Sequence, residues 1–309
     1  MTAEDDRFSG PPSEIQGPAC PALCVEGRSL QGVFSPHLVV FAWAVRRGPY
    51  IVLRLESTLA VIQRWREALI SQANDMPAEV QAVVSGHGRH GMPLDGPHLA
   101  LIPLACVGHP HADGRLLGLA AALPANLTAD ERRRVLQVLA RVRELKLGRL
   151  GRWSLVRETG RPPLWDLRPE AWTAHPRGAT HWSTVTPIAF DRHPKAKDPE
   201  AYRREVEEMI AAGCTATGLP RPQAVIATPV SAHLGVPPAH AFPRLRRKDG
   251  TERRHTHAIL VFDRPVCGPV LIGAGRYRGY GVGRPLESGD AWMGRDAGSR
   301  LGPHPGQSS

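Results

Sequence analysis

The sequence predicts an α+β fold in which two modules run through one order of elements, strand–helix–strand–strand–helix–strand. Three observations carry that prediction. Apolar runs of strand length alternate with segments whose apolar residues recur at spacings of three and four. Two helix starts are written out in full, at Thr128 and at Asp198. A 42% hydrophobic share is enough for a core, while 31 Gly and 30 Pro in 309 residues stay short of the roughly 25–30% at which disorder becomes the default.

Residues 1–36 are rich in Pro, Gly and Ser without periodicity and read as a flexible arm. His37 to Val45 and Tyr50 to Leu55 are β-rich and apolar, joined by RRGP, which predicts a hairpin. Leu59, Ile62, Trp65 and Leu69 then take helical spacing, which Met76-Pro77 stops. Pro97 to Val107 and Arg115 to Leu123 are two further strands split by GHPHADG. Thr128-x-x-Glu131 is a capping box, and Val135, Val138, Leu139 and Val142 form the buried stripe behind it. Trp153 to Arg157 closes a first module at 37–160 with the order of the ferredoxin-like split unit.

A linker at 161–180 leads to the second module, at 181–286. His181 to Phe190 is its first strand, and Asp198 and Pro199 sit at N-cap and first-turn positions of a helix ending near Gly213. Gln223 to Val230 and His255 to Phe262 are strands. Where a second long helix belongs, the chain has GPVLIGAGRYRGYGVGRPL. Residues 287–309 read as a disordered tail. The expected architecture is therefore two tandem ferredoxin-like (RRM-like) modules with a C-terminal glycine-rich loop.

No apolar run approaches the roughly 20 residues that span a bilayer, and the acidic MTAEDDRF start is unlike a signal peptide. A cytoplasmic protein without membrane contact is expected. Five cysteines, at 20, 24, 106, 214 and 267, are too scattered for a disulfide framework, and Cys20 and Cys24 lack a second pair of metal ligands at finger-like spacing. Neither a metal nor another cofactor is predicted.

The net charge of +10 is concentrated. Residues 131–152 hold eight basic side chains against Glu131 and Glu144, and residues 244–284 hold ten against Asp249, Glu252 and Asp263. Clusters in which Arg outnumbers Lys suit a polyanion, because guanidinium grips phosphate with two prongs. In the second cluster the glycines at 273, 275, 279, 281 and 283 alternate with Arg276, Tyr277, Arg278, Tyr280 and Arg284. Glycine lets backbone amides approach a phosphate, and tyrosine stacks on bases. Gly273, Gly275, Arg276, Arg278, Gly279, Tyr280, Gly281 and Arg284 are thus expected RNA contacts, joined by His257, which shares a strand face with His255. A dinucleotide site is excluded, since the third glycine falls at 279 and no helix follows.

The run RHTHAILVFDRPVCGPVLIGAGRYRGYGVGRPL resembles the C-terminal glycine-rich region of the repeat-associated mysterious protein superfamily of CRISPR systems. More narrowly, that run, SGHGRHGMPLDGPHLALIPLACVGHPHADGRLLGLAAALP and VTPIAFDRHPK look like the processing half of the fused protein of type I-U (also called I-G) systems. The resemblance spans roughly residues 33–286. It implies a metal-independent endoribonuclease that cuts CRISPR repeat RNA to mature guide RNA, acting with other subunits of a type I effector complex. The 2′-hydroxyl would attack the adjacent phosphate, leaving 2′,3′-cyclic phosphate and 5′-hydroxyl ends. Relatives carry a further half that resembles a subunit capping the guide RNA, and the first 36 residues are too few to form it. The other reading is a non-catalytic guide-RNA-binding subunit of the same kind of complex.

Histidine suits either proton transfer of this cleavage, its unperturbed pKa of about 6.5 lying near working pH. His87, His90, His98, His109 and His111 crowd one stretch of the first module. His111, in a turn between strands, is the first expected catalytic residue, with His98 and His193 next. His109-x-His111-x-Asp113 also opens a metal-hydrolase motif, but Gly114 stands where that motif has another histidine. The RNA reading rests on the glycine-rich ribbon lying at the surface with its arginines unpaired.

Overall fold

The computed structural model describes residues 30–44, 52–88, 91–247 and 249–286. The RRGP turn, most of the N-terminal arm, the tail, His90 and the Cys20–Cys24 pair lie outside the described residues.

The first module is a five-stranded antiparallel sheet with helices on one side. Its strands are β2 (Val39–Trp43), β3 (Ala100–Ala105), β4 (Leu116–Ala122), β5 (Glu144–Lys146) and β6 (Arg152–Arg157), in the order β3-β4-β2-β6-β5. The chain's first module strand lies in the middle and the second at the edge, which is the split order expected. Helices α1 (Thr58–Gln72) and α3 (Ala129–Arg141) cover the sheet through Val61, Ile62, Trp65 and Leu69 and through Val135, Val138 and Leu139. Thr128 caps α3 as its sequence requires, accepting from the Glu131 amide while the Glu131 carboxylate returns to the Thr128 amide.

One local expectation fails here, and two elements were not foreseen. Residues 52–55 are not a strand of a hairpin with β2; Arg54 makes one bridge to Arg115, and Leu55 begins a short helical turn. Met76-Pro77 ends α1 but also starts an unforeseen helix, α2 (Ala78–Ser85), with proline at its cap. Strand β5 is short and pairs only with β6.

The second module comprises β7 (Ala179–Thr184), β8 (Ile188–Ala189), β9 (Ala224–Thr228), β10 (His255–Cys267) and β11 (Gly283–Pro285), with helix α5 (Pro199–Ala216). Its order β9-β10-β7-β11 is again the split order, and a two-residue strand, β1 (Leu30–Gln31), adds in parallel beside the far end of β10. Asp198 caps α5, accepting from the Ala201 amide at 2.8 Å. Between the modules, α4 (Glu170–Thr173) is one turn that buries Trp172.

The second helix of this module is indeed missing, and the ribbon that replaces it decides how the two halves meet. Gly281 has φ +67°, and a Cβ there would lie 1.9 Å from the Ile272 carbonyl oxygen, so the ribbon folds back on itself as only glycine permits. At Gly279 the backbone presses against Thr58, Ile62 and Pro103 of the first module. Tyr280 is fully buried and donates its hydroxyl to the Pro243 carbonyl. One hydrophobic core therefore runs from the first module's sheet through Leu245, Leu271, Tyr280 and Val282.

That packing overturns the expectation of an exposed RNA-clasping ribbon, so any RNA contact must rest on other arginines than those of a free ribbon. Gly273, Gly275, Gly279, Gly281, Tyr280 and Arg284 are buried because the ribbon is the joint between modules. Of its arginines and tyrosines, Arg276, Tyr277 and Arg278 reach the surface.

Candidate active site at the module interface

Helix α2 ends at Gly86, whose φ of +73° makes the left-handed cap that turns the chain off the helix. A Cβ at that position would sit 2.5 Å from the His98 Nε2, so the glycine also seats that ring. The turn delivers His87 to the mouth of a cleft. Residues of the first module on its walls are Arg66 and His98; Arg246, Arg247, Arg253, Tyr277 and Arg278 come from the second. The cleft encloses about 290 Å³.

Five guanidinium groups thus face one small space, and no carboxylate lines it. Among the described residues none of the five forms an ion pair with a carboxylate. Their polar contacts are to carbonyls and neutral groups: Arg66 to the Ser85 carbonyl, Arg253 to those of Phe190 and Asp191 at 2.8 Å, and Arg247 to the His193 Nε2. Burial, followed by the neighbouring Arg278 charge, pulls Arg66 below the ordinary guanidinium range. Burial and Arg247 do the same to Arg253. Uncompensated positive charge held together at a cost in repulsion is the footprint of an anionic ligand.

The two histidines of the cleft differ. His98 is stacked on Tyr277, with ring centroids 3.5 Å apart, and its Nδ1 is buried without a partner. Burial, then Arg66 and Arg276, lowers it to about 4, so it is neutral at pH 7. The exposed His87 places Nδ1 3.0 Å from the Ser85 carbonyl oxygen. A carbonyl can only accept, so Nδ1 carries a proton, and in the neutral ring the lone pair is on Nε2.

Of the other expected site residues, His193 reaches this cleft only through Arg247. His111 is exposed on its turn and is not among the cleft residues. Arg284 is buried, with its guanidinium 2.8 Å from Asp166 and stacked over Trp172. His257 is a core histidine: Thr184 Oγ1 lies 3.0 Å from Nδ1 and the Pro237 carbonyl 3.1 Å from Nε2. Sequence reading passed over Arg66 and chose other histidines than His87. Arg66 sits outside either basic run, and the unforeseen α2 hid the turn that aims His87. Of the two basic windows, the first is spent on helix-surface pairs such as Arg141–Asp75 and Arg134–Asp130, and the second supplies the cleft.

The buried His257 carries a pH prediction. Burial holds it at about 4, whereas the unfolded chain returns it to about 6.5. Between those values the unfolded state binds the extra proton, so stability falls as pH drops through that window. Unfolding free energies from urea titrations at pH 7.5 and 5 are expected to differ by roughly 2 kcal/mol for this histidine alone. His257→Gln should shrink that difference by about the same amount. An unchanged pH dependence would place the acid sensitivity elsewhere, His233, also lowered to about 4, being the next candidate.

Residues 47–285 match the model of the CRISPR-associated protein family GSU0054. Among solved structures, the chain is similar to a CRISPR-associated protein Cas6, at 8% identity and TM-score 0.41 over 81% of this chain and all of that one. It is also similar to a Cas6b crystal structure, at 11% identity and TM-score 0.42 over 76% and 94%. A Cas6-related protein from Pyrococcus furiosus matches at 11% identity and TM-score 0.37 over 82% and 98%. No curated protein matches.

Proposed function

The chain belongs to the CRISPR-associated GSU0054 family, and from that premise we propose that it cleaves CRISPR repeat RNA to mature guide RNA, with the scissile phosphate in the cleft between its modules. The observation that carries this reading is the convergence of five carboxylate-free arginines on His87 and His98. His87 Nε2 takes the proton of the ribose 2′-hydroxyl, and the hydroxyl oxygen attacks the neighbouring phosphorus. The arginines stabilise the charge that builds on the phosphoryl oxygens, and the departing 5′-oxygen is protonated from water. His98 holds Tyr277 and the Gly86 turn in place and so positions His87. The guide RNA and other subunits of a type I effector complex are the partners this reading implies.

The test is incubation of the purified protein with end-labelled repeat RNA in EDTA, its melting temperature recorded in the same buffer. A discrete cut leaving 2′,3′-cyclic phosphate and 5′-hydroxyl ends is expected. Folded protein that binds the RNA and leaves it whole would overturn the enzyme and favour the non-catalytic guide-RNA-binding subunit.

Arg278, the most exposed arginine of the ribbon, supplies a second test. Arg278→Ala should weaken RNA binding and reduce the slope of log affinity against log salt by about 1, one fewer phosphate counterion being released. An unaltered slope would remove the ribbon's outer turn from the interface.

A further inference from the structure

A second cluster, built from a different set of residues, lies on another side of the joint. Strand β3 ends at Ala105, and the turn at Gly108, φ +81°, brings His109 back over Cys106. Asp166 enters from the segment between the modules, where the Trp172 indole donates to its backbone carbonyl at 2.8 Å. Cys106 Sγ lies 3.3 Å from His109 Nε2, and Asp166 Oδ2 lies 3.6 Å from the same nitrogen. All three donor atoms fall within 4.8 Å of one another. Among the described residues no other trio of these ligand types converges so. The spacing 109-x-111-x-113 does not: Asp113 turns to Arg115 instead.

A hydrogen bond joins Cys106 to His109, but it accounts for only one of the two approaches to the ring nitrogen. Nε2 has a single in-plane site, a proton or a lone pair, and two acidic groups approach it. The 3.6 Å approach is too long to be a hydrogen bond. A catalytic relay would need the thiol on one ring nitrogen and the carboxylate on the other, which this geometry lacks. A tetrahedral ion with Zn–S near 2.3 Å and Zn–N and Zn–O near 2.0–2.2 Å would set S···N at about 3.6 Å and N···O at about 3.4 Å. Those separations resemble the ones present.

We propose that Cys106, His109 and Asp166 hold a Zn²⁺ ion that ties the first module to the segment between the modules. The surrounding contacts suit the ion. Arg284 lies 2.8 Å from Asp166 Oδ1, off the hydrogen-bond axis, and leaves Oδ2 free to face the histidine. Carboxylates that ligate metals are commonly oriented by such outer partners. His109 also lines a cleft of about 360 Å³ with Gly108, His233, Leu234 and Arg284, and water from it would complete the coordination. Binding displaces the thiol proton, since only the thiolate ligates.

The experiment measures metal in the full chain without an affinity tag. Zinc content after dialysis is expected near one equivalent, and stripped protein should take up Zn²⁺ with a dissociation constant tighter than about 1 μM. Co²⁺ in its place should give tetrahedral d–d bands and a thiolate charge-transfer band. Cys106→Ser and His109→Ala should each lose the ion and the charge-transfer band while circular dichroism stays folded. Cys20→Ser/Cys24→Ser should keep both. Should either ligand variant fail to fold, the cobalt spectrum of the native chain still decides. Stripped native protein that binds neither ion, or that shows cobalt without thiolate, overturns the site. Neither outcome bears on His87, so the RNA reading survives or fails separately.

Discussion

Replacing His87 by alanine is expected to slow single-turnover cleavage of repeat RNA by about 10² to 10⁴-fold, the contribution of one positioned base. RNA affinity should stay near the native value. The argument is one of tautomer and placement. The Ser85 carbonyl holds a proton on Nδ1, so the neutral ring offers Nε2 as a base, and the left-handed cap at Gly86 holds the ring at the cleft. The side chain is exposed, so its removal costs little stability, and lost cutting can be separated from lost folding. His98→Ala is less clean, because it deletes a half-buried ring stacked on Tyr277. His111→Ala should change neither cutting nor binding. A His87→Ala protein that cuts at the native rate would overturn the assignment, and loss of cutting in His111→Ala would move the site to the turn between β3 and β4.

The fold was legible where short-range rules dominate. The capping box at Thr128 and the Asp198-Pro199 start state their helices outright, since the partner atoms lie within four residues. The missing second helix was legible too, because glycine every few residues cannot sustain one. The use of those glycines was not. A backbone free to bend suits a phosphate loop and a tight joint between two modules alike, and only Gly279 against Thr58 and Ile62 tells them apart. The site failed to show for the same reason. Arg66 and His87 are brought together inside the first module by α1 and α2, and Arg253 joins them only once the ribbon draws the modules together. His257 misled because strand alternation puts it on a face with His255 without saying which side that face packs.

Arg284 gives the sharpest contrast between the two readings of the ribbon. As an RNA contact it would be cheap to remove and would flatten the salt dependence of binding. As placed, its side chain is 6% exposed and pairs with an Asp166 side chain that is 8% exposed. In metal-stripped protein, Arg284→Ala leaves that carboxylate buried without its partner, and such losses run to about 3–5 kcal/mol. In a chain of this size the melting temperature should fall by on the order of 10 °C. Measured well below the new midpoint, RNA affinity and its salt slope should match the native protein, in contrast to Arg278→Ala. Removing both charges together, as Arg284→Met with Asp166→Leu, should recover most of the stability, because desolvating a buried pair cancels much of its attraction. A stable Arg284→Ala protein with a flattened salt slope would return this arginine to the RNA surface and undo the account of the ribbon as a joint.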